Sequence, residues 1–326
     1  MKLKNKIVTI FKIAIVFIAA TFVSSCDEEF IVEIDDTSNL IVVNSFFNGD
    51  EELSVTVTKS MPPQKNQVVV ELKNAKVSLF ENNNFVEELT YLKTPNDSIG
   101  RFISNTTPVI GATYRIEAET PEEDIKQKVS TQSVLPERIE IVSDTAVWLK
   151  WTTEKDSTFL IRFYFEITFN DPPADNYYYI TAAAPVYEMD TINNTREFCF
   201  WEYAEILTGE LPGHELYINN ALLFKDATFN STTKKISGTA TMHSSINNFN
   251  SDIDENKKYF IDKSKLHIVL HSLSKDAYNF CSSYAKKIEM SDDIYSEPVV
   301  IYSNVKNGLG IFAGENISSK DIPIKY

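Results

Sequence analysis

The sequence predicts a mainly β fold: an N-terminal Ig-like β-sandwich over residues 38–136, then a second β-rich domain over 137–326, with one helix at about 274–289 packed on its sheet. Three observations predict it. Short alternating segments recur about every dozen residues between positions 38 and 135. One long segment, Phe159–Phe169, alternates without a break. A single later stretch changes to helical spacing. The length of 326 residues suits two domains of this kind.

In the first domain, Leu53–Thr58 alternates apolar and polar residues, as do Val77-Ser78-Leu79 and Tyr114–Ala118. Period-two patterning is what a half-buried strand requires, because successive side chains point to opposite faces. Met61-Pro62-Pro63 ends the first of these and opens a polar loop through Gln67. Proline lacks the N–H that a sheet ladder uses. Gly100, Pro108 and Gly111 punctuate the later part of this domain, and Pro136 marks its boundary. Several short strands with turn signals at this spacing are the pattern of a small sandwich.

The second domain opens with Val147, Leu149 and Trp151 in alternation. Phe159, Ile161, Phe163, Phe165, Ile167 and Phe169 then form one face of a single long strand, which Pro172-Pro173 stops. Tyr177–Ile180 and Phe198–Tyr203 supply further aromatic strand, and Lys265–Leu273 again reads with period two. In the helix, Ser274 caps the N-terminus, Asp276 sits in the first turn and Lys286-Lys287 complement the dipole in the last. Ala277, Cys281, Tyr284, Ala285 and Ile288 make its apolar stripe. Two final strands, Pro298–Asn304 and Gly308–Ala313, are expected to form a hairpin through Lys306-Asn307-Gly308, since Asn-Gly favours a tight turn.

The N-terminus reads as an address. Lys2, Lys4, Lys6 and Lys12 precede or border an apolar stretch of 11 residues, Ile13–Val23, and Ser24 and Ser25 lead to Cys26. A positive region, an apolar region and small residues before a cleavage point make a signal peptide over 1–25. Eleven residues span about 16 Å as a helix, half a bilayer core, too short to anchor alone. Val23-Ser24-Ser25-Cys26 resembles the lipobox of bacterial lipoproteins, with Val where Leu is commonest. That resemblance implies cleavage before Cys26 and acylation of the new terminus, palmitate included. Several acyl chains anchor stably where one is marginal. Asp27, Glu28 and Glu29 come directly after and open an acidic tether over 26–37. This run resembles the surface-export signal of Bacteroidota lipoproteins, which implies the outer face of the outer membrane.

Charge excludes one class of partner. The formal net charge is -15, and losing residues 1–25 leaves 27 basic against 46 acidic residues, a net of -19. A body this acidic does not attract a phosphate backbone, so nucleic acid is not a general partner. It should also stand off an anionic bilayer while acyl chains hold it there.

Residue types that carry chemistry form few patterns. With Cys26 acylated, Cys199 and Cys281 remain, either as a disulfide worth about 4–5 kcal/mol or as two buried thiols. His267 and His271 are four apart, which on a strand separates them by about 13 Å, too far to share a metal ion. Asp252-Ile253-Asp254-Glu255-Asn256 starts like a calcium loop, but Lys257 and Lys263 stand where the loop needs Gly and Glu, so a solvated turn is expected. No nucleophile elbow, zinc helix or phosphate-cradling loop occurs, and no cofactor or catalytic residue is assigned. A carboxylate pair for hydrolysis is not singled out among so many acids. Trp148 and Trp201 are the candidate ligand platform, since exposed aromatic clusters serve as carbohydrate platforms or interface anchors.

The C-terminal block carries a resemblance. Leu273-Ser274-Lys275-Asp276-Ala277-Tyr278-Asn279-Phe280, Ser296-Glu297-Pro298-Val299-Val300-Ile301-Tyr302-Ser303-Asn304-Val305 and Gly308-Leu309-Gly310-Ile311-Phe312-Ala313-Gly314, with Ala75–Leu79 and Gly111–Tyr114 upstream, resemble the Bacteroidota lipoprotein family catalogued as domain of unknown function 4249. Members are often encoded beside TonB-dependent receptors. The resemblance implies a non-enzymatic, surface-exposed partner of such a receptor, assisting uptake of a glycan or other nutrient. The alternative is an independent glycan-binding or adhesive surface module.

Overall fold

The computed structural model describes residues 39–61, 68–121, 128–153, 158–190, 195–208, 216–227, 229–245, 265–290 and 299–325, without the side chains of 148–161, 185–202 and 242–245. The expected signal peptide over 1–25, Cys26, the expected tether over 26–37 and the segment 252–256 expected to form a solvated turn lie outside them. The fold is mainly β, with strands making up 58%, and the described residues hold one helix, near the C-terminus.

In chain order the strands are β1 (Ile41–Phe47), β2 (Ser54–Lys59), β3 (Val70–Glu71), β4 (Lys76–Glu81), β5 (Asn84–Glu88), β6 (Thr90–Leu92), β7 (Arg101–Ile103), β8 (Thr113–Glu119) and β9 (Lys128–Val134). Next come β10 (Ile141–Thr153), β11 (Thr158–Asn170), β12 (Tyr177–Asp190), β13 (Thr195–Leu207), β14 (Leu216–Ile218), β15 (Ala221–Lys225), β16 (Thr233–Ser245) and β17 (Lys265–Leu273). Helix α1 (Lys275–Glu289) and the long β18 (Leu309–Lys325) complete the order.

Seven strands, β12-β13-β16-β11-β10-β18-β17, close into a barrel, because β17 pairs with both β18 and β12. The interior is packed with side chains rather than hollow, as in other small barrels. Phe163, Phe165, Ile167 and Phe169 of β11 are fully buried, as their alternation predicts. Room for the rings comes from small residues opposite them: Phe163 faces Ala240 and Phe165 faces Gly238 across the β11–β16 ladder. A Cβ on Gly238 would sit 2.7 Å from the Leu207 carbonyl oxygen and 3.4 Å from the Phe165 ring. Ala182, Ala184 and Ala204 serve the same end from β12 and β13. Two seams are short, three residue pairs between β13 and β16 and two between β10 and β18.

Beyond β18 the sheet continues through β1, β2, β7 and β6, and a separate sheet, β5-β4-β8-β9, shares a core with it. Val43, Val57, Val77, Tyr114 and Ile116 are buried there. β18 serves both cores. Its residues 309–314 run parallel to β1, 315–323 antiparallel to β17, and 324–325 parallel to β10. It thus spans the boundary expected at Pro136, and residues 38–326 form one compact unit.

The helix forms where its signals place it. Ser274 accepts the N–H of Ala277 at 3.2 Å, Asp276 occupies the first turn, and Lys286 and Lys287 the last. Ala277 and Ala285 are buried, and these small side chains let the helix lie close on the sheet. Tyr284 and Ile288, expected in the same stripe, lie on an exposed flank, where Tyr284 stacks on Phe280 and Phe280 meets Phe46 edge-on at 5.9 Å.

The expected terminal hairpin does not form. Residues 299–305 make no ladder: β1 takes one edge of 309–314, and at the other edge the side chain of Asn304, rather than a strand backbone, meets Phe312. Asn304 still ties the reversal together, donating to the Phe312 carbonyl at 2.7 Å and accepting its N–H at 3.0 Å. Asn307 supplies the turn with a φ of 60°.

Candidate functional site

Two of the gatherings of titratable groups among the described residues lie at the barrel. The first closes one end of the barrel. β11 ends at Asn170, and Asp171 stands before the two prolines that stop the strand. Asp171 is buried, and its carboxylate accepts the Tyr178 hydroxyl and, at 2.8 Å, the N–H of Ser231. Tyr178 is fully buried, with its ring against Phe169 at 4.9 Å and Phe224 at 5.3 Å. Asp226, also buried, accepts the N–H of Asn176 at 3.0 Å. Burial pushes the Asp171 carboxyl above its ordinary value, against the hydrogen bonds from Tyr178 and Ser231, with Asp226 adding to the rise. Burial, then the bond to Asp171, holds the Tyr178 hydroxyl firmly protonated. Ala174, in the connecting loop, takes a φ of 131°, a strained value for alanine. Asn230 holds it, donating to the Ala174 carbonyl at 2.8 Å and accepting its N–H at 3.4 Å.

Beside Asp171 opens a shallow cleft of about 290 Å³, bordered by Glu137, Arg138, Glu140, Asn170 and Pro172. Arg138 is tied to Asp50 at 2.5 Å. The volume is at the low end for a small-molecule site, and the border mixes these polar groups with Ile139 and Val142. Both buried carboxylates are already used by the chain's own donors, which accounts for them as the groups that fasten the two loops at this end of the barrel.

The second gathering lies beneath α1. His271 Nδ1 is 3.0 Å from Glu315 Oε2 across the β17–β18 ladder, and its ring meets Tyr179 edge-on at 5.3 Å. Four residue pairs along the same ladder, His267 Nδ1 is 2.8 Å from Asp321 Oδ1. Each histidine therefore has its own carboxylate, on the period-two strand that the sequence implies. Among the described residues no three His, Cys, Asp or Glu side chains converge as a metal site would require.

Cys281, on the helix above, is a free thiol, and burial pushes it up to about 11, with Glu315 adding to the rise. The candidate Cys199–Cys281 disulfide is absent for a geometric reason. Cys199 is the extra residue of a bulge opposite Val186 and Tyr187, at the far end of β12 from Tyr177, whose ring packs on Tyr278 of the helix. Cys281 itself lies beside Tyr179, and seven residues of strand from there to the bulge span about 23 Å, whereas a disulfide needs Cα atoms within about 7 Å.

Of the other residues singled out in the sequence, Cys26, Asp27, Glu28 and Glu29 lie outside the described residues. Trp148 stands in β10 opposite Phe163, and Trp201 in β13 opposite Pro185. Their side chains likewise lie outside the described part of the structure. Asp171, Asp226 and Tyr178 went unnoticed in the sequence, because an Asp before Pro-Pro reads as a solvated turn; only the alternation through Tyr177–Ile180 hints that Tyr178 faces inward. Among the described residues no helix is long and apolar enough to cross a membrane.

A closed seven-stranded barrel sharing one long strand with a second β layer defines a mainly β protein, with one helix among the described residues, near the C-terminus. The chain belongs to the family described as Domain of unknown function (DUF4249), whose model matches residues 27–321. No curated protein matches it. Among solved structures, a chimeric titin Z1Z2-Z1Z2 tandem (Z1212) functionalized with a GRGDS exogenous peptide from fibronectin is similar over 88% of this chain and 97% of its own, at 7% identity and a TM-score of 0.17. A likeness that loose says nothing about fold or function.

Proposed function

We propose that this chain is a non-enzymatic outer-membrane lipoprotein, acylated on Cys26 and exposed at the cell surface, that acts as accessory or binding partner of a TonB-dependent nutrient receptor. The observation that carries the reading is the order of the first residues: lysines, an apolar stretch too short to span a bilayer, Val23-Ser24-Ser25-Cys26, then three acids. The family match begins at residue 27, immediately beyond Cys26, as a leader lying outside the family's domain would have it. The two sheets around the N-terminal core support the finer reading of that part as an Ig-like sandwich. The consumption of Asp171 and Asp226 by the chain's own donors supports the non-enzymatic part.

Purification of the tagged protein in mild detergent should bring down a large β-barrel receptor. Recovery of the lipoprotein alone would overturn the partnership, and glycan-array binding by that lone protein would favour the adhesive alternative. Cys26→Ala should abolish acyl labelling and release the protein from membranes; unchanged retention refutes the anchor. Protease shaving of intact cells then separates the outer surface from the periplasmic leaflet.

A further inference from the structure

Among the described elements, strand β18 is the one that both cores need, and it follows nearly everything it joins. Val42 of β1 pairs with Leu309, and the hydrogen bond from the Ile311 N–H to Asn44 spans 267 positions. We infer that β18 is a folding latch: the N-terminal core stays open until residues 309–325 arrive, and the barrel closes in the same step.

On the N-terminal side, β1 has two ladder partners, the adjacent β2 and the distant β18. β18 also brings a core side chain, since Phe312 is fully buried and stacks on Phe47 at 4.6 Å. The approach to β18 brings another, Val305, and the Lys306 backbone bridges Ser130 of β9. Remove this stretch and β1 has an open edge, β9 loses its bridge and the core loses two apolar side chains. On the barrel side, β18 fills the gap between β17 and β10 with nine residue pairs to one and two to the other. Its Ile322 and Ile324 are part of the barrel core. Without it the ring is an open sheet.

The order of events is set by chain entropy. β1 and β2 are joined by a short loop and pair at once, whereas β1 and β18 must close a loop of more than 260 residues. That closure is unrewarded until the intervening strands have collapsed, so both cores are completed late and together. For a chain exported as proposed above, this keeps the leading stretch open during passage; the folding order itself does not rest on that reading.

The full chain tests it in two ways. In refolding followed by pulsed hydrogen exchange, amides of β1 and β8 should gain protection in the same phase as those of β17 and β18. Protection of β1 and β8 in an earlier phase, with β18 still open, would overturn the latch. At equilibrium, Phe312→Ala strikes only the N-terminal core, while all three tryptophans, Trp148, Trp151 and Trp201, stand in barrel strands. The latch requires tryptophan fluorescence to lose its native signal at the same lowered denaturant midpoint as far-UV circular dichroism. A fluorescence midpoint unchanged from the parent protein would show that the barrel closes without the N-terminal core.

Discussion

Asn316 donates from Nδ2 to the carbonyl oxygen of Pro136 at 2.6 Å, joining the last strand to the connector between the two cores across 180 positions of sequence. Two neighbours repeat the arrangement: Ser318 donates to the Ile139 carbonyl at 2.6 Å and Ser272 to the Glu137 carbonyl at 2.5 Å. A connector that runs against a core needs partners for its carbonyls, because water no longer reaches them freely. Buried polar side chains on β17 and β18 provide them, so the connector is fixed in place.

Asn316→Ala should therefore be costly. Asn316 is 1% exposed, and truncation leaves the Pro136 carbonyl and the Gly49 N–H, 3.4 Å from Oδ1, without partners. The expected loss is about 1–3 kcal/mol, read as a lower denaturant midpoint at unchanged slope. A change within about 0.5 kcal/mol, typical of a neutral surface site, would mean that water already reaches this connector.

Two glycines should respond very differently to alanine. Gly310 has a φ of 111°, and a Cβ there would lie 2.1 Å from the carbonyl oxygen of Val43, a backbone atom that cannot swing aside. Gly111 has a φ of 79° with nothing within 4 Å of its Cβ position. Gly111→Ala carries only the left-handed backbone penalty of about 1–2 kcal/mol. Gly310→Ala adds a clash in the β1–β18 ladder and should cost about 3 kcal/mol or more. Thermal melts of the pair rank them directly, and equal losses would show that β1 yields to the new methyl group.

These residues also mark where sequence reading stops. The strand over 159–169 is legible because its interior residues share one chemical type and one period, and Phe163–Phe169 take the buried positions that pattern gives them. The helix is legible because caps and charges at its ends are local. Barrel closure is not local: it depends on β17 meeting both β12 and β18, with no periodic trace in any one segment. The second half of β18 reads as polar because Asn316 and Ser318 point at connector carbonyls that no local pattern reveals. The barrel-end cluster of Asp171, Tyr178 and Asp226 is hidden for the same reason, each partner lying on a different loop or strand.

Cys281 should be nearly inert in the folded protein. Burial and the neighbouring Glu315 carry its thiol up to about 11, so little thiolate exists at pH 8. Alkylation by iodoacetamide should run about 100-fold slower than for a free cysteine and reach the ordinary rate after unfolding. Peptide mapping separates Cys281 from Cys199. Labelling of native Cys281 at the free-cysteine rate would show that α1 opens locally from the sheet beneath it.

Asp171 predicts a pH dependence with a definite sign. Burial raises its carboxyl above the ordinary 3.8, so the folded state holds this proton more tightly than the unfolded chain does. The stability it contributes is complete below that ordinary value and is lost as pH rises through the raised one. Asp171→Asn keeps an acceptor for the Ser231 N–H and a partner for the Tyr178 hydroxyl but does not titrate. Its stability relative to the parent should therefore increase from pH 4 upward and level off once Asp171 is ionised in both states of the parent. Denaturant midpoints of the two proteins between pH 4 and pH 7 measure this difference, in which other titrating groups largely cancel. A difference that stays flat would mean that Asp171 titrates alike folded and unfolded, and that solvent reaches this end of the barrel.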